Sequence, residues 1–179
     1  ASEVAAVINH PLEATEAVYD ELASQGQFLE VQGLAEWPNR SITVRYHFRH
    51  ALCQHTLYQR IGLAQRVRWH RQLGEHFARM YGEHKQEMAS ELAFHFERGR
   101  EYWRAILFWQ QAGEHALQQG TYQKALEHGR AGLILLKQLP ATTERDQLEL
   151  RLRQLVSTAL AMSRGFTDDE LEDHLQRTH

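Results

Sequence analysis

Apolar residues recur at steps of three and four along most of this chain, and at steps of two over only one stretch. The first period marks one buried face of a helix, the second a strand. After a short helical piece, Pro11 opens a predicted helix that runs to about Ser24, with Leu12, Val18, Tyr19 and Leu22 on one side and Gly26 placed to stop it. "FLEVQGL" and "ITVRYHF" then read as two strands, setting Phe28, Leu29 and Val31 against Ile42, Val44, Tyr46 and Phe48. "AEWPNRS" between them carries a Pro-Asn turn signal. From Ala51 onward the period is helical throughout. Val67, Leu73, Phe77 and Met80 or Tyr81 stripe a helix of roughly 64–82; Met88, Leu92 and Phe96 stripe the next. A third carries Tyr102, Ala105, Ile106, Trp109, Ala112 and Ala116, and a fourth Tyr122, Ala125, Leu126, Gly129, Leu133 and Leu136. Beyond Pro140, Thr143 is placed to cap a helix bearing Leu148, Leu152, Leu155, Val156 and Ala159, and "SRGFTDDEL" turns into a last helix.

Two segments echo each other. "GREYWRAILFWQQAG" and "QGTYQKALEHGRAG" each place a Gly before a Tyr, an Ala three residues after it, and a small residue seven after that Ala. Small residues so spaced let antiparallel helices approach closely, as in helical repeat arrays. Tyr102 and Tyr122 are only 20 residues apart, so the two copies must share a helix and an irregular array of tetratricopeptide type is expected. The fold class is therefore mainly α: a partial winged helix with a two-stranded ribbon over 1–62, then a tetratricopeptide-like antiparallel array over 63–179, truncated at its end. Helix, turn, helix and ribbon outline a winged helix without its first helix, which implies that the chain begins inside a domain.

Charge sharpens this outline. Seven of the 20 Lys and Arg residues (40, 45, 49, 60, 66, 68 and 71) fall between Trp37 and Gly74, where there is no Asp or Glu. That leaves 13 basic residues against 23 acidic ones elsewhere. A positive face for a neighbouring domain, an acidic partner or a phosphate fits this asymmetry, and so does an arginine-rich helix paired with acids of the same fold. One cysteine allows no internal disulfide, and no apolar run approaches the length of a membrane span, so a cytoplasmic protein without membrane contact is expected.

Few residues suggest chemistry. The 12 histidines lack metal-ligand spacing: His47 and His50 are three apart across a strand end, His50 and His55 five apart, and HExxH is absent. Cys53 sits in an amphipathic stretch as a small hydrophobe. Neither GxSxG nor GxxxxGK[ST] occurs, so neither a catalytic nor a metal site is expected. Nucleic-acid binding is disfavoured because the helix over 11–24, which would enter the groove, carries Glu13, Glu16, Asp20 and Glu21 and no Lys or Arg.

"YHFRHALCQHTLYQRIGLAQRVRWHRQLGEHF" and "ELAFHFERGREYWRAILFWQQAGEHALQQGTYQKALEHGRAGLILLKQLP" together resemble the region after the nucleotide-binding core of large bacterial signalling ATPases of the STAND class, relatives of the maltose-regulator activators. The resemblance implies an upstream P-loop ATPase domain binding ATP or ADP, and a cyclase, kinase or DNA-binding effector in the larger protein. It also implies a role for His50, in "FRHAL", against the β-phosphate of ADP, although the family's Asp after that histidine is Ala51 here. The alternative is that His50 caps the helix starting at Ala51. Arg45, Arg49, Arg60, Arg66, Arg68 and Arg71 would then form the basic face toward the ATPase domain. Tyr102, Trp103, Trp109 and Tyr122 would offer a face to a protein, peptide or small inducer, unless Tyr102, Trp109 and Tyr122 belong to the core. On this basis the chain is a non-catalytic regulatory module; the alternatives are a stand-alone helical scaffold and, third, a DNA-binding winged helix.

Overall fold

Two short strand segments and long runs of helical period produce a mainly α chain with one antiparallel ribbon. The computed structural model describes residues 1–37, 40–82 and 86–164. In order these are α1 (Ser2–Ile8), α2 (Leu12–Ser24), β1 (Leu29–Glu36), β2 (Ile42–Phe48), α3 (Ala51–Arg60), α4 (Leu63–Tyr81), α5 (Ala89–Arg98), α6 (Tyr102–Gln118), α7 (Tyr122–Leu135) with a 3-10 turn at Leu136–Gln138, and α8 (Thr143–Arg164). The Pro-Asn turn and the last expected helix lie outside the described residues. No helix among the described residues is long and apolar enough to cross a membrane.

Packing separates two units. The first takes the described residues of 1–85 together with His95–Glu101, and the second takes Gln86–Phe94 and the described residues from Tyr102 on. Helix α4, assigned by its sequence to the array, thus belongs with the ribbon, and α5 contributes its last turn to the first unit and its start to the second. The reason for α4 is visible at Trp37. Its buried indole packs on Phe77 at 5.9 Å and Tyr81 at 5.7 Å between ring centroids, both on α4.

In the first unit, β1 pairs with β2 as Leu29↔Phe48, Val31↔Tyr46, Leu34↔Val44 and Glu36↔Ile42, with a bulge between Val31 and Gly33. Gly33, at φ +122, supplies a conformation there that a side chain would resist. Helix α2 does not bury the expected stripe: Leu12 and Val18 are exposed, and Thr15 is its one buried residue. Its acids explain how it holds the ribbon instead. Glu16 Oε1 accepts from the Thr43 hydroxyl at 3.1 Å and the Val44 amide at 3.4 Å, and Asp20 accepts from the Tyr46 hydroxyl at 2.7 Å. Burial and that bond to Asp20 push the Tyr46 phenol far above its ordinary range.

The second unit is the antiparallel set α6, α7 and α8. Buried Ala105, Ile106, Ala112 and Ala116 of α6 share its core with Ala125, Leu126, Leu135 and Leu136 and with Leu148, Leu152, Leu155 and Ala159 of α8. Three glycines set the approach of α8. A Cβ at Gly113 would stand 2.5 Å from Leu155 Cδ2, at Gly129 2.6 Å from Val156 Cγ2, and at Gly132 2.9 Å from Leu152 Cδ2. As α7 advances from 129 to 132 its contacts on α8 retreat from 156 to 152, the signature of antiparallel packing. Thr142, not Thr143, caps α8: its hydroxyl accepts from the Arg145 amide at 3.2 Å. The expected side chain is one residue too far along, because Thr143 is already helical.

The echoed segments end their preceding helices alike, with a shift of one residue. After α6, Gly120 takes φ +69, its amide bonds Leu117 O and the Thr121 amide bonds Ala116 O. After α5, Arg100 takes φ +59, its amide bonds Glu97 O and the Glu101 amide bonds Phe96 O. Both are Schellman stops, and the counterpart of Gly120 is Arg100, not Gly99. Gly99 serves another need, since a Cβ there would meet the Arg71 backbone nitrogen at 3.0 Å.

Candidate functional site

The stretch where strand gives way to helix positions most of the candidate residues. β2 ends at Phe48, Arg49 donates its amide to Phe28 O, and extended His50 starts α3 through its carbonyl, which accepts the Cys53 and Gln54 amides at 3.0 and 3.3 Å. His50 is thus the residue that caps α3, through its backbone; its imidazole makes no capping bond and is exposed. Helix α3 itself has no buried residue: Leu52 is 73% and Leu57 48% exposed. Cys53, expected as a buried hydrophobe, is only half-buried there.

The six arginines do not act alike. Arg49 donates to Gly26 O at 2.7 Å and faces Glu30 at 3.7 Å, where Glu30 also takes His47 Nε2 at 2.6 Å across the ribbon. Arg66 closes the turn between α3 and α4, donating to Ile61 O at 2.8 Å and Gln59 O at 2.7 Å while its guanidinium lies 4.6 Å over the Tyr58 ring. Arg71 pairs with Glu101 at 2.8 Å, and Arg68 bonds Gln65. Arg45 and Arg60 are exposed and have no ion pair among the described residues. The outward positive charge is therefore narrower than the sequence suggests.

On the second unit the four aromatics divide in a similar way. Trp103 is 39% exposed, while Tyr102, Trp109 and Tyr122 are half-buried rather than core. Trp109 stacks on His128 at 5.2 Å and 23°. Burial, with Lys124 adding to it against Glu127, holds the His128 imidazole below its ordinary range. A shallow polar recess on α6 is lined by Gln86, Gln111, Glu114, His115 and Gln118, with about 40 Å³ of room, little more than a water or two. No group of three or more His, Cys, Asp or Glu side chains is placed to hold a metal among the described residues.

Sequence reasoning passed over one cluster. Half-buried Tyr58 and buried His70 and His95 form a polar chain in the first unit, beside Phe77. The signal was available: His70, Gly74 and Phe77 follow one another at steps of four and three on α4, and those are its three buried residues. No family model, curated protein or solved structure matches this chain.

Proposed function

We propose that this chain is a non-catalytic regulatory and interaction module of a cytoplasmic signalling ATPase, coupling its nucleotide-binding domain to the sensing of a ligand or partner. The observation that carries the reading is α3. A ten-residue helix is marginal in water and is normally held by an apolar face against a core. This one has no buried residue, only half-buried Cys53 and Tyr58, carries exposed Leu52 and Leu57, and is flanked by His50, Arg45 and Arg60 with no acid nearby in sequence. Such a helix is suited to a surface outside its own unit. An exposed imidazole at the first turn, beside amides that lack helical partners, also suits a phosphate, which supports the His50 role that the STAND resemblance implies. Tying the diphosphate-bound state to this joint would bias a two-state switch.

The test is on the larger protein. Denaturing purified wild type should release ADP, and His50→Ala should release much less. ADP retained in both would keep the ATPase context and remove His50 from it. A reading frame without an upstream GxxxxGK[ST] would overturn the proposal in favour of the stand-alone scaffold, a reading supported by the self-contained seam of α6, α7 and α8.

A further inference from the structure

The Tyr58–His70–His95 chain, buried at its two histidines, has no part in the function proposed above. The Tyr58 hydroxyl lies 2.9 Å from His70 Nε2, and His70 Nδ1 lies 3.0 Å from His95 Nδ1. The chain joins α3, α4 and the last turn of α5 within the first unit. His70 and His95 are 9% and 7% exposed, with ring centroids 5.1 Å apart and Phe77 at 5.3 Å from His95.

Two imidazole nitrogens at that distance need one proton between them. A neutral imidazole offers one N–H and one lone pair, so with both rings neutral one Nδ1 donates to the other. One added proton still fits: His70 becomes a donor at both ends, to His95 Nδ1 and to the Tyr58 oxygen. A second does not fit, because both Nδ1 atoms would then carry hydrogens aimed at each other, and two like charges would meet away from water.

We infer that Tyr58, His70 and His95 form a proton-gated latch on the end of α5, closed with no added proton or one, and opened by the second. The charged and titratable groups around it come from each neighbouring segment. Arg66 lies over the Tyr58 ring, Arg71 pairs with Glu101 just past α5, and His76 lies beyond Phe77 against Trp37. On α5, Glu91, Glu97 and Arg98 fall within about one turn of His95. What the latch holds is the Schellman stop, where Gly99, Arg100 and Glu101 donate their amides to His95 O, Glu97 O and Phe96 O.

Amide hydrogen exchange on the full chain tests this, from about pH 8 to about pH 5, which spans the ordinary imidazole range. After correction for intrinsic exchange, protection of the Gly99, Arg100 and Glu101 amides should fall by about tenfold or more, one pH unit of thwarted protonation being worth a factor of ten. The α7 amides should hold. His70→Phe/His95→Phe should abolish that fall. Tyr58→Phe keeps the aromatic packing but removes the acceptor for the first added proton, so its transition should move to higher pH; this variant decides the matter if the double one does not fold. Constant protection in the wild type, an unchanged fall in the double variant, or an unmoved transition in Tyr58→Phe would each overturn the latch.

Discussion

At Gly129 two residues of α8 crowd one position of α7, and Gly129→Ala puts a number on that crowding. In an exposed helix, exchanging Gly for Ala stabilises by about 1 kcal/mol. Here the new Cβ would stand 2.6 Å from Val156 Cγ2 and 2.8 Å from Leu155 Cδ2, well inside the 3.4 Å at which ordinary contact begins. Leu155 can swing its tip, but Val156 is β-branched and in a helix has essentially one side-chain rotamer, so α8 itself must move. Overpacking of this kind costs about 1–3 kcal/mol. Set against the propensity gain, and with two close contacts at once, the expected net is a loss of about 1–2 kcal/mol. Urea unfolding followed by helical circular dichroism should show a lower midpoint with an unchanged slope. Val156→Ala removes the clashing methyl, so the double variant should recover at least about 1 kcal/mol relative to additivity, as expected for residues in contact. A stabilised Gly129→Ala, or a double variant that is merely additive, would refute the close seam between α7 and α8.

Three further outcomes follow from particular contacts. Arg100 holds a left-handed conformation that Gly120 holds at the equivalent stop, so Arg100→Gly should raise and Gly120→Val lower thermal stability, each by about 1 kcal/mol; a Gly120 Cβ would meet nothing nearer than the Tyr122 hydroxyl at 3.9 Å, which leaves backbone strain as the cause. Thr142→Ala removes the acceptor for the Arg145 amide and should cost about 1 kcal/mol by denaturant midpoint, while Thr143→Ala should be nearly neutral. The His128 value in the fold lies below its ordinary 6.5, so the stability it supplies is present above that value and lost as pH falls through the lower folded one. His128→Phe keeps a ring on Trp109 and should flatten that acid limb in melts recorded at stepped pH.

Much of the architecture was legible because it rests on period. Ala105, Ile106, Ala112 and Ala116, and Leu148, Leu152, Leu155 and Ala159, are buried as their spacing demands. Period failed at α2, where Leu12 and Val18 are exposed, because that helix is tied to the ribbon by Glu16 and Asp20. Acids that argued against a groove-binding helix turn out to be its means of attachment, and no spacing rule ties an acid at 20 to a tyrosine at 46. The echo around Tyr102 and Tyr122 was legible in its small residues, but not in its stops. Composition points to glycine for a left-handed residue, and at one of the two stops that residue is Arg100.

The joint between ribbon and helix was the hardest part to read, since an arginine count does not distinguish a glue from a surface. A guanidinium has five donors in a rigid fork, so it serves stray carbonyls at a turn as readily as a carboxylate. Arg49 and Arg66 are used in that way, on Gly26 O and on the Ile61 and Gln59 carbonyls that end α3. Arg71 goes to the Glu101 that follows α5. Part of the cationic run thus stabilises the chain's own turns, which is why the run needs no acids of its own. Arg45 and Arg60 are left to face outward beside a helix with no buried residue, and His50 stands at the exposed start of that helix. If α3 serves an outside surface, substituting Arg60 should leave the fold intact and weaken only the contact made there, whereas substituting Arg66 should loosen α3 itself.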